Sequence, residues 1–205
     1  MRNSVTGLAE WRADITQLRS SYRRLADSRL PVNLHSAAAQ VQRRAATLLH
    51  GIADGTGLWE ELDGRQLADD ERGDRTSLLL GGAICGTVAA LTSPPAGRGL
   101  LAAAGTGTLF LTHIEKLAPA ARHVLCRIIE TGRYTPIGDP YPRPITCRII
   151  VATAHPLSLM ARNFALEWRL ADVLGHISLR AEMVVNALET HELYRHHASS
   201  FAAAS

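Results

Sequence analysis

Two apolar runs, separated by an amphipathic segment, constrain the fold of this 205-residue chain more than any other feature. The runs cover residues 107–111 and 147–153, and residues 119–131 between them place apolar side chains at helical spacing. A strand that is apolar on both faces is typical of a parallel sheet that helices cover on both sides. We therefore predict a three-layer α/β/α fold with a mostly parallel sheet. The predicted core-strand residues are Leu109, Leu111, Ile149, Ile150 and Val151.

The other segments alternate in the same way. Helical spacing or helix-forming composition predicts helices over residues 8–25, 37–52, 157–173 and 181–194, and residues 30–34 are predicted to form a short strand. Glycines and other small residues predict a loop over residues 81–99, and a turn-rich region covers residues 134–144. The tail over residues 198–205 is expected to fray.

Composition narrows the functional classes. The formal net charge is only +3, which gives no basis for direct DNA binding. No apolar run has the length of a membrane-spanning helix and no signal peptide is recognised, so we expect a cytoplasmic protein without membrane association. Cys85, Cys126 and Cys147 lack the spacing of a metal site, and we expect them to be reduced, buried thiols.

One of the two apolar runs resembles a known ATPase motif. The sequence Gly107-Thr108-Leu109-Phe110-Leu111-Thr112-His113 resembles the Walker B strand of the sigma-54 activators, bacterial enhancer-binding proteins of the AAA+ class, which reads G-T-L-F-L-D-E. Residues 30–50, 99–111 and 147–153 extend the resemblance, which runs from about residue 17 to about residue 173.

The resemblance implies a P-loop NTPase-like (AAA+) domain with a parallel central sheet and a helical lid. Few residues follow position 173, so the lid is expected to be truncated or missing. On this basis residues 1–178 are predicted to form a degenerate AAA+ α/β domain. Residues 179–205 are predicted to form a C-terminal helix and a frayed tail, as a remnant of the lid.

At the Walker B and sensor I positions the resemblance identifies replaced chemical groups. Thr112 and His113 stand where the family has the Asp that helps to hold Mg²⁺ and the Glu that polarises the attacking water. Ala154 stands at the sensor I Asn and has no side chain that can bond a phosphate. Thr112 and His113 could form a new metal or catalytic site with Glu115, but a structural or solvated histidine is the commoner case. We predict no catalytic residue and no metal site.

The P-loop position is replaced as well. Gln42 stands at the P-loop Lys, in a glycine-free stretch that runs from Ser36 to Arg43. Alanine and valine penalise the backbone conformations with which such a loop wraps a phosphate. Ser36 could simply cap the helix that follows, and Arg43 and Arg44 are alternative phosphate contacts. We predict that the chain takes no cofactor, that it does not bind ATP and Mg²⁺, and that it is not an enzyme.

Two surface motifs of the family are also changed. Arg169 keeps the position of the second arginine finger, Asn163 occupies the first, and Arg162 is adjacent; these three residues are the candidate interface. The alternative for Arg169 is an ion pair within its own chain, with Asp172 as the expected partner. Residues 82–87 match the sigma-54-contacting loop G-A-F-T-G-A only in part, because its aromatic residue is absent, and they could instead be an apolar core segment.

These changes predict a protein that keeps the fold for its surfaces. The leading hypothesis is a non-catalytic AAA+-like protein that acts by protein–protein contact, in transcription regulation. Its partner would be an intact sigma-54 activator or a second copy of the chain. The alternatives are an interaction or scaffold module unrelated to transcription, and a residual ATP-binding protein without hydrolysis.

Overall fold

The computed structural model describes residues 20–22, 24–25, 28, 30–52, 57–72, 74–81, 99–136 and 141–189. Five parallel strands form a central sheet in the order β2-β3-β6-β1-β7. The strands are β1 (Val32–His35), β2 (Trp59–Asp63), β3 (Thr108–Thr112), β6 (Arg148–Thr153) and β7 (Ile177–Arg180). A separate antiparallel ribbon pairs β4 (Arg133–Tyr134) with β5 (Arg143–Pro144).

Helices connect the strands and cover the sheet. They are α1 (Ala39–Ile52), α2 (Asp74–Gly81), α3 (Leu100–Ala104), α4 (Pro119–Thr131), α5 (Leu157–Arg162), α6 (Trp168–Leu174) and α7 (residues 181–189). Two 3₁₀ turns, Gly64–Leu67 and Ile114–Lys116, follow β2 and β3. The predicted three-layer α/β fold with a parallel sheet is confirmed.

The core divides into two clusters, one on each face of the sheet. Because side chains alternate along a strand, Leu109 and Leu111 enter one cluster while Phe110 between them enters the other. The first cluster packs against α4, α5 and α6, and the second packs against α1 and α7. All five side chains predicted for the core strands are buried.

Helix α4 has the bounds that the sequence predicts. Pro119 occupies its first turn, where a missing backbone N–H costs nothing. Gly132 ends it in the left-handed conformation with φ of 62°. Local residue types therefore determine both ends of this helix.

Two sequence-based predictions need correction. The two edge strands, β2 and β7, were not recognised, because their polar residues hide the strand pattern. The helix predicted over residues 157–173 is two helices separated by a turn. The division between residues 178 and 179 stays a prediction; β7 spans these residues and pairs with β1, and α7 contributes to the second core cluster. Predictions for residues 8–19, 82–98 and 190–205 lie outside the described residues.

The amino ends of β2 and β3 require glycine, because their backbones touch there. A Cβ atom on Gly107 would lie 2.1 Å from the carbonyl oxygen of Leu58, and one on Gly57 would lie 1.8 Å from the nitrogen of Gly107. The same carbonyl of Leu58 accepts the N–H of Thr108 at 3.0 Å, so the two segments cannot separate without losing a hydrogen bond.

We predict that Gly107→Ala lowers the free energy of unfolding by about 1–3 kcal/mol, the usual cost of forced overlap in a packed region. Gly51→Ala is the matched control, because nothing lies within 4 Å of a Cβ built at Gly51 in α1. That control should raise the free energy of unfolding by up to about 1 kcal/mol. Urea unfolding of both variants makes the measurement, and equal stabilities would contradict the contact.

Candidate functional site

The carboxyl ends of the central strands enclose a cavity of about 280 Å³. In a parallel sheet these ends meet at one edge, which is where such folds form their sites. The cavity is lined by all six residues that the sequence assigned to the degenerate nucleotide site, namely Ser36, Gln42, Arg43, Thr112, His113 and Ala154. The structure therefore brings these residues together, although they come from three separate segments of the chain.

The segment at the P-loop position is bonded to the chain itself. The backbone N–H of Ser36 donates to the carbonyl of Thr153 at 3.0 Å. The hydroxyl of Ser36 donates to Oε1 of Glu182 at 2.5 Å and accepts the N–H of Ala38 at 3.1 Å. Ser36 lies three residues before α1 begins at Ala39, so its hydroxyl bonds the N–H of Ala38 just outside the helix and does not cap the helix's own first turn. The hydroxyl bond lowers the pKa of Glu182, so a carboxylate stands beside this segment.

Gln42 is one of the residues that line the cavity. Its side-chain Nε2 donates to the carbonyl of Ser36 at 2.6 Å and to the carbonyl of Thr153 at 2.7 Å. The residue is buried. An amide nitrogen carries two hydrogens, so both donors of Gln42 are used within the protein.

At the end of β2, the carboxylate of Asp63, which the sequence did not predict as a site residue, contacts Arg65 and His113 in the cavity lining. Arg65 donates to both carboxylate oxygens of Asp63, at distances of 2.6–3.1 Å. His113 Nδ1 lies 3.1 Å from Asp63 Oδ1. The hydrogen bonds from Arg65 lower the pKa of Asp63 to about 2, and the charge of His113 acts in the same direction. The sequence did not predict Asp63 because β2 has no clear strand pattern. The Asp63-Gly64 dipeptide, which is typical of a turn, was the only signal at this position.

The backbone here is as constrained as the side chains. His113 adopts the left-handed conformation with φ of 51° and leads into the second 3₁₀ turn. A Cβ atom on Gly64 would lie 2.2 Å from the carbonyl oxygen of His113, so this close approach requires glycine. The two strand ends are therefore held together by backbone fit and by the contact between Asp63 and His113.

Arg43 and Arg44, the alternative phosphate contacts, both have carboxylate partners. Arg43 donates through Nη1 and Nη2 to the carboxylate of Glu61, with 2.6 Å for the Nη2 bond. Arg44 Nε donates to Glu189 Oε1 at 2.6 Å. The first pair links α1 to β2 and the second links α1 to α7, both at the protein surface.

The candidate interface lies apart from the cavity. Arg162 and Asn163 end α5, while Arg169 lies in α6. Arg169 donates through Nε and Nη2 to the two oxygens of Glu130, at 2.6 and 2.8 Å. The expected partner Asp172 was wrong, because α4 brings Glu130 opposite the guanidinium group. These bonds lower the pKa of Glu130.

The remaining sequence-based predictions concern cysteines, metal and membrane. Cys126 and Cys147 are buried free thiols, and burial raises the pKa of Cys147 to about 11. Cys85 and the whole of residues 82–87 lie outside the described part. Within the described residues, no group of three or more His, Cys, Asp or Glu side chains is arranged to hold a metal ion. None of the helices in that part has the length and apolar character needed to span a bilayer.

Comparison with solved structures finds the same fold in other proteins. NtrX from Brucella abortus, solved in complex with ATP, superimposes with a TM-score of 0.61 over 82% of this chain and 36% of that chain, at 17% identity. A RuvB mutant from Thermotoga maritima superimposes with a TM-score of 0.51 over 82% of this chain and 44% of that chain, at 14% identity.

Sequence comparison identifies a more specific similarity than the comparison of structures does. Residues 81–180 match the family model of the Sigma-54 interaction domain, which confirms the resemblance to the sigma-54 activators. The acetoin catabolism regulatory protein of Cupriavidus necator is 34% identical over 70 residues, which is 34% of this chain and 10% of that protein. The C4-dicarboxylate transport transcriptional regulatory protein DctD of Rhizobium meliloti is 39% identical over 49 residues, 24% of this chain and 11% of that protein. The matches thus span about a tenth of these curated relatives.

We predict that Gln42→Ala lowers the free energy of unfolding by about 2 kcal/mol, because the carbonyl of Ser36 loses the Gln42 donor and that of Thr153 keeps only the N–H of Ser36. Gln40→Ala, at an exposed position of the same helix, is the control and should change it by no more than about 0.5 kcal/mol. Chemical unfolding of the two variants measures the difference. An equal, small effect in both would show that Gln42 does not fasten this segment to β6.

Proposed function

We propose that this chain is a non-catalytic AAA+-like protein that acts by protein–protein contact in sigma-54-dependent transcription. The observation that carries the proposal is Gln42. A P-loop lysine must extend toward phosphate oxygens, whereas the amide of Gln42 spends both its hydrogens on the carbonyls of Ser36 and Thr153. The residue at the phosphate-binding position thus fastens the protein to itself.

The charges around the cavity give independent support. Thr112 and His113 offer no carboxylate at the end of β3, where Mg²⁺ coordination and water activation would need one. Two carboxylates line the cavity near them, Asp63 and Glu115, and Arg65 donates to both oxygens of Asp63. On the other side, Glu182 accepts from Ser36 and adds a negative charge beside the segment at the P-loop position. Binding of ATP and Mg²⁺ is therefore not expected, and the chain is not an enzyme under this proposal.

Since nucleotide binding is not expected, the proposed role of the fold is contact with another protein. The matching family model and the curated relatives are those of transcriptional regulators, so an intact sigma-54 activator is the proposed partner and self-association is the second candidate. Sigma-54 activators work in the cytoplasm, and we propose the same location for this chain. A scaffold without a role in transcription would bind its partner without changing sigma-54-dependent transcription. A residual nucleotide-binding protein would show saturable ATP binding.

The first test is hydrolysis. Purified protein should release no phosphate from ATP above a buffer blank with or without Mg²⁺, because the groups that stabilise the transition state are replaced. A titration with a fluorescent ATP analogue should stay flat. An intact sigma-54 activator serves as the positive control. Mg²⁺-dependent phosphate release that Gln42→Ala abolishes would refute the proposal.

The second test is partner binding through Arg169, measured by calorimetry against purified intact sigma-54 activators from the organism that encodes this chain. Arg169→Ala should weaken binding about tenfold or more, as expected for loss of an interfacial cation. Its melting temperature should stay nearly unchanged, because the pair with Glu130 is exposed to solvent.

The matched control is Glu130→Gln, which removes the internal carboxylate but keeps the guanidinium group of Arg169 available. It should bind the activator at least as tightly as the parent chain. If Arg169 only braces its own chain, both variants will melt at the same lowered temperature and both will bind like the parent. That result would remove Arg169 from the interface.

A further inference from the structure

An aromatic residue ends helix α5 in a conformation that normally requires glycine. Phe164 has φ of 56°, its N–H donates to the carbonyl of Ala161 at 3.1 Å, and the next N–H, of Ala165, donates to the carbonyl of Met160 at 2.9 Å. This pair of bonds is the Schellman motif, whose left-handed residue is usually glycine. Gly132 fills the equivalent place after α4, with φ of 62°.

Burial does not compensate for this conformation. The exposed fraction of Phe164 is 94%, so burial of its ring gives almost no stabilisation to offset the backbone strain. Both the backbone conformation and the exposure of an apolar ring are unfavourable in the free protein. Backbone strain that no contact within the protein offsets is typical of functional sites, and here we take it to indicate a contact site.

The same hairpin carries further groups of the type found at protein interfaces. Trp168 has an exposed fraction of 58% and Leu159 one of 41%. Arg162, two residues before Phe164, is exposed and has no ion pair among the described residues, whereas Arg169 is already held by Glu130. Exposed aromatic and arginine side chains together are characteristic of the few residues that dominate binding energy.

We propose that Phe164 is the apolar anchor of a docking surface formed by Leu159, Arg162, Phe164 and Trp168. Its occupant is a folded protein that presents an apolar pocket with a carboxylate at the rim, the pocket for the ring and the carboxylate for the free charge of Arg162. This inference rests on the proposed function, and takes the intact sigma-54 activator as that protein. Besides the contact of Arg169, the inference assigns to Phe164 the role of determining which partner fits.

The test separates stability from binding. Asparagine tolerates the left-handed conformation, so Phe164→Asn should raise the melting temperature by about 2 °C or leave it unchanged. The same variant should bind the purified activator at least about tenfold more weakly. Phe164→Tyr keeps a ring and should retain most of the affinity. Leu58→Asn is the control, because Leu58 is 62% exposed at the opposite edge of the sheet, and it should bind like the parent chain.

Each other outcome refutes the inference. If Phe164→Asn binds the activator as tightly as the parent chain does, Phe164 is not the anchor, and the proposed function is unaffected. A melting temperature lowered by several degrees would show that the ring packs against its own chain. Sedimentation that finds the parent chain dimeric and Phe164→Asn monomeric would make a second copy the occupant instead of the activator. Absence of any binding by the parent chain would refute the proposed function and this inference together.

Discussion

Parallel hydrogen bonding among β3, β6 and β1 is the constraint on which the rest of this molecule depends. These strands are almost entirely buried, and their registers place Thr112 beside Ala152 and His35 beside Thr153. Strands that run in one direction bring all their carboxyl ends to one edge, so the polar residues that follow them must meet there. The helices on the two faces of the sheet cover only apolar surface. The residues at the carboxyl-end edge can therefore change without disturbing the core.

At that edge the protein supplies partners for its own polar groups, of which Gln42 and Ser36 are buried while Asp63 and Arg65 are partly exposed. Gln42 satisfies two backbone carbonyls, Glu182 accepts the Ser36 hydroxyl, and Arg65 neutralises Asp63. At the buried groups, an unmade hydrogen bond costs more than a made one contributes. Internal partners of this kind stabilise the empty form of the cavity, and they set the cost that any anionic ligand would have to meet.

The α5–α6 hairpin has the opposite character. Its inner side contributes Leu157, Met160 and Leu170 to the core, while its outer side leaves Phe164 and Trp168 in water. One side of the hairpin thus stabilises the domain, and the other side does not. Because the cavity satisfies itself and the hairpin does not, the physical case for contact with another molecule is stronger at the hairpin.

Local sequence patterns determined the centre of this protein. The runs that became β3 and β6 were apolar on both faces, and α4 carried its own start and stop residues, so each was predictable without its neighbours. Resemblance to a motif located the six cavity residues, and the geometry of parallel strands explains why they meet. The motif could not supply their partners.

Only the tertiary structure decided the edge strands, the broken helix and the ion pairs. β2 and β7 carry polar residues and exist as strands because β3 and β1 offer them a ladder. The break after α5 has no glycine or proline to announce it, and Phe164 takes the strained place instead. Glu130 lies 39 residues before Arg169, and Glu182 lies 146 residues after Ser36. Such partners are chosen by the packing of whole elements, so no local pattern contains them.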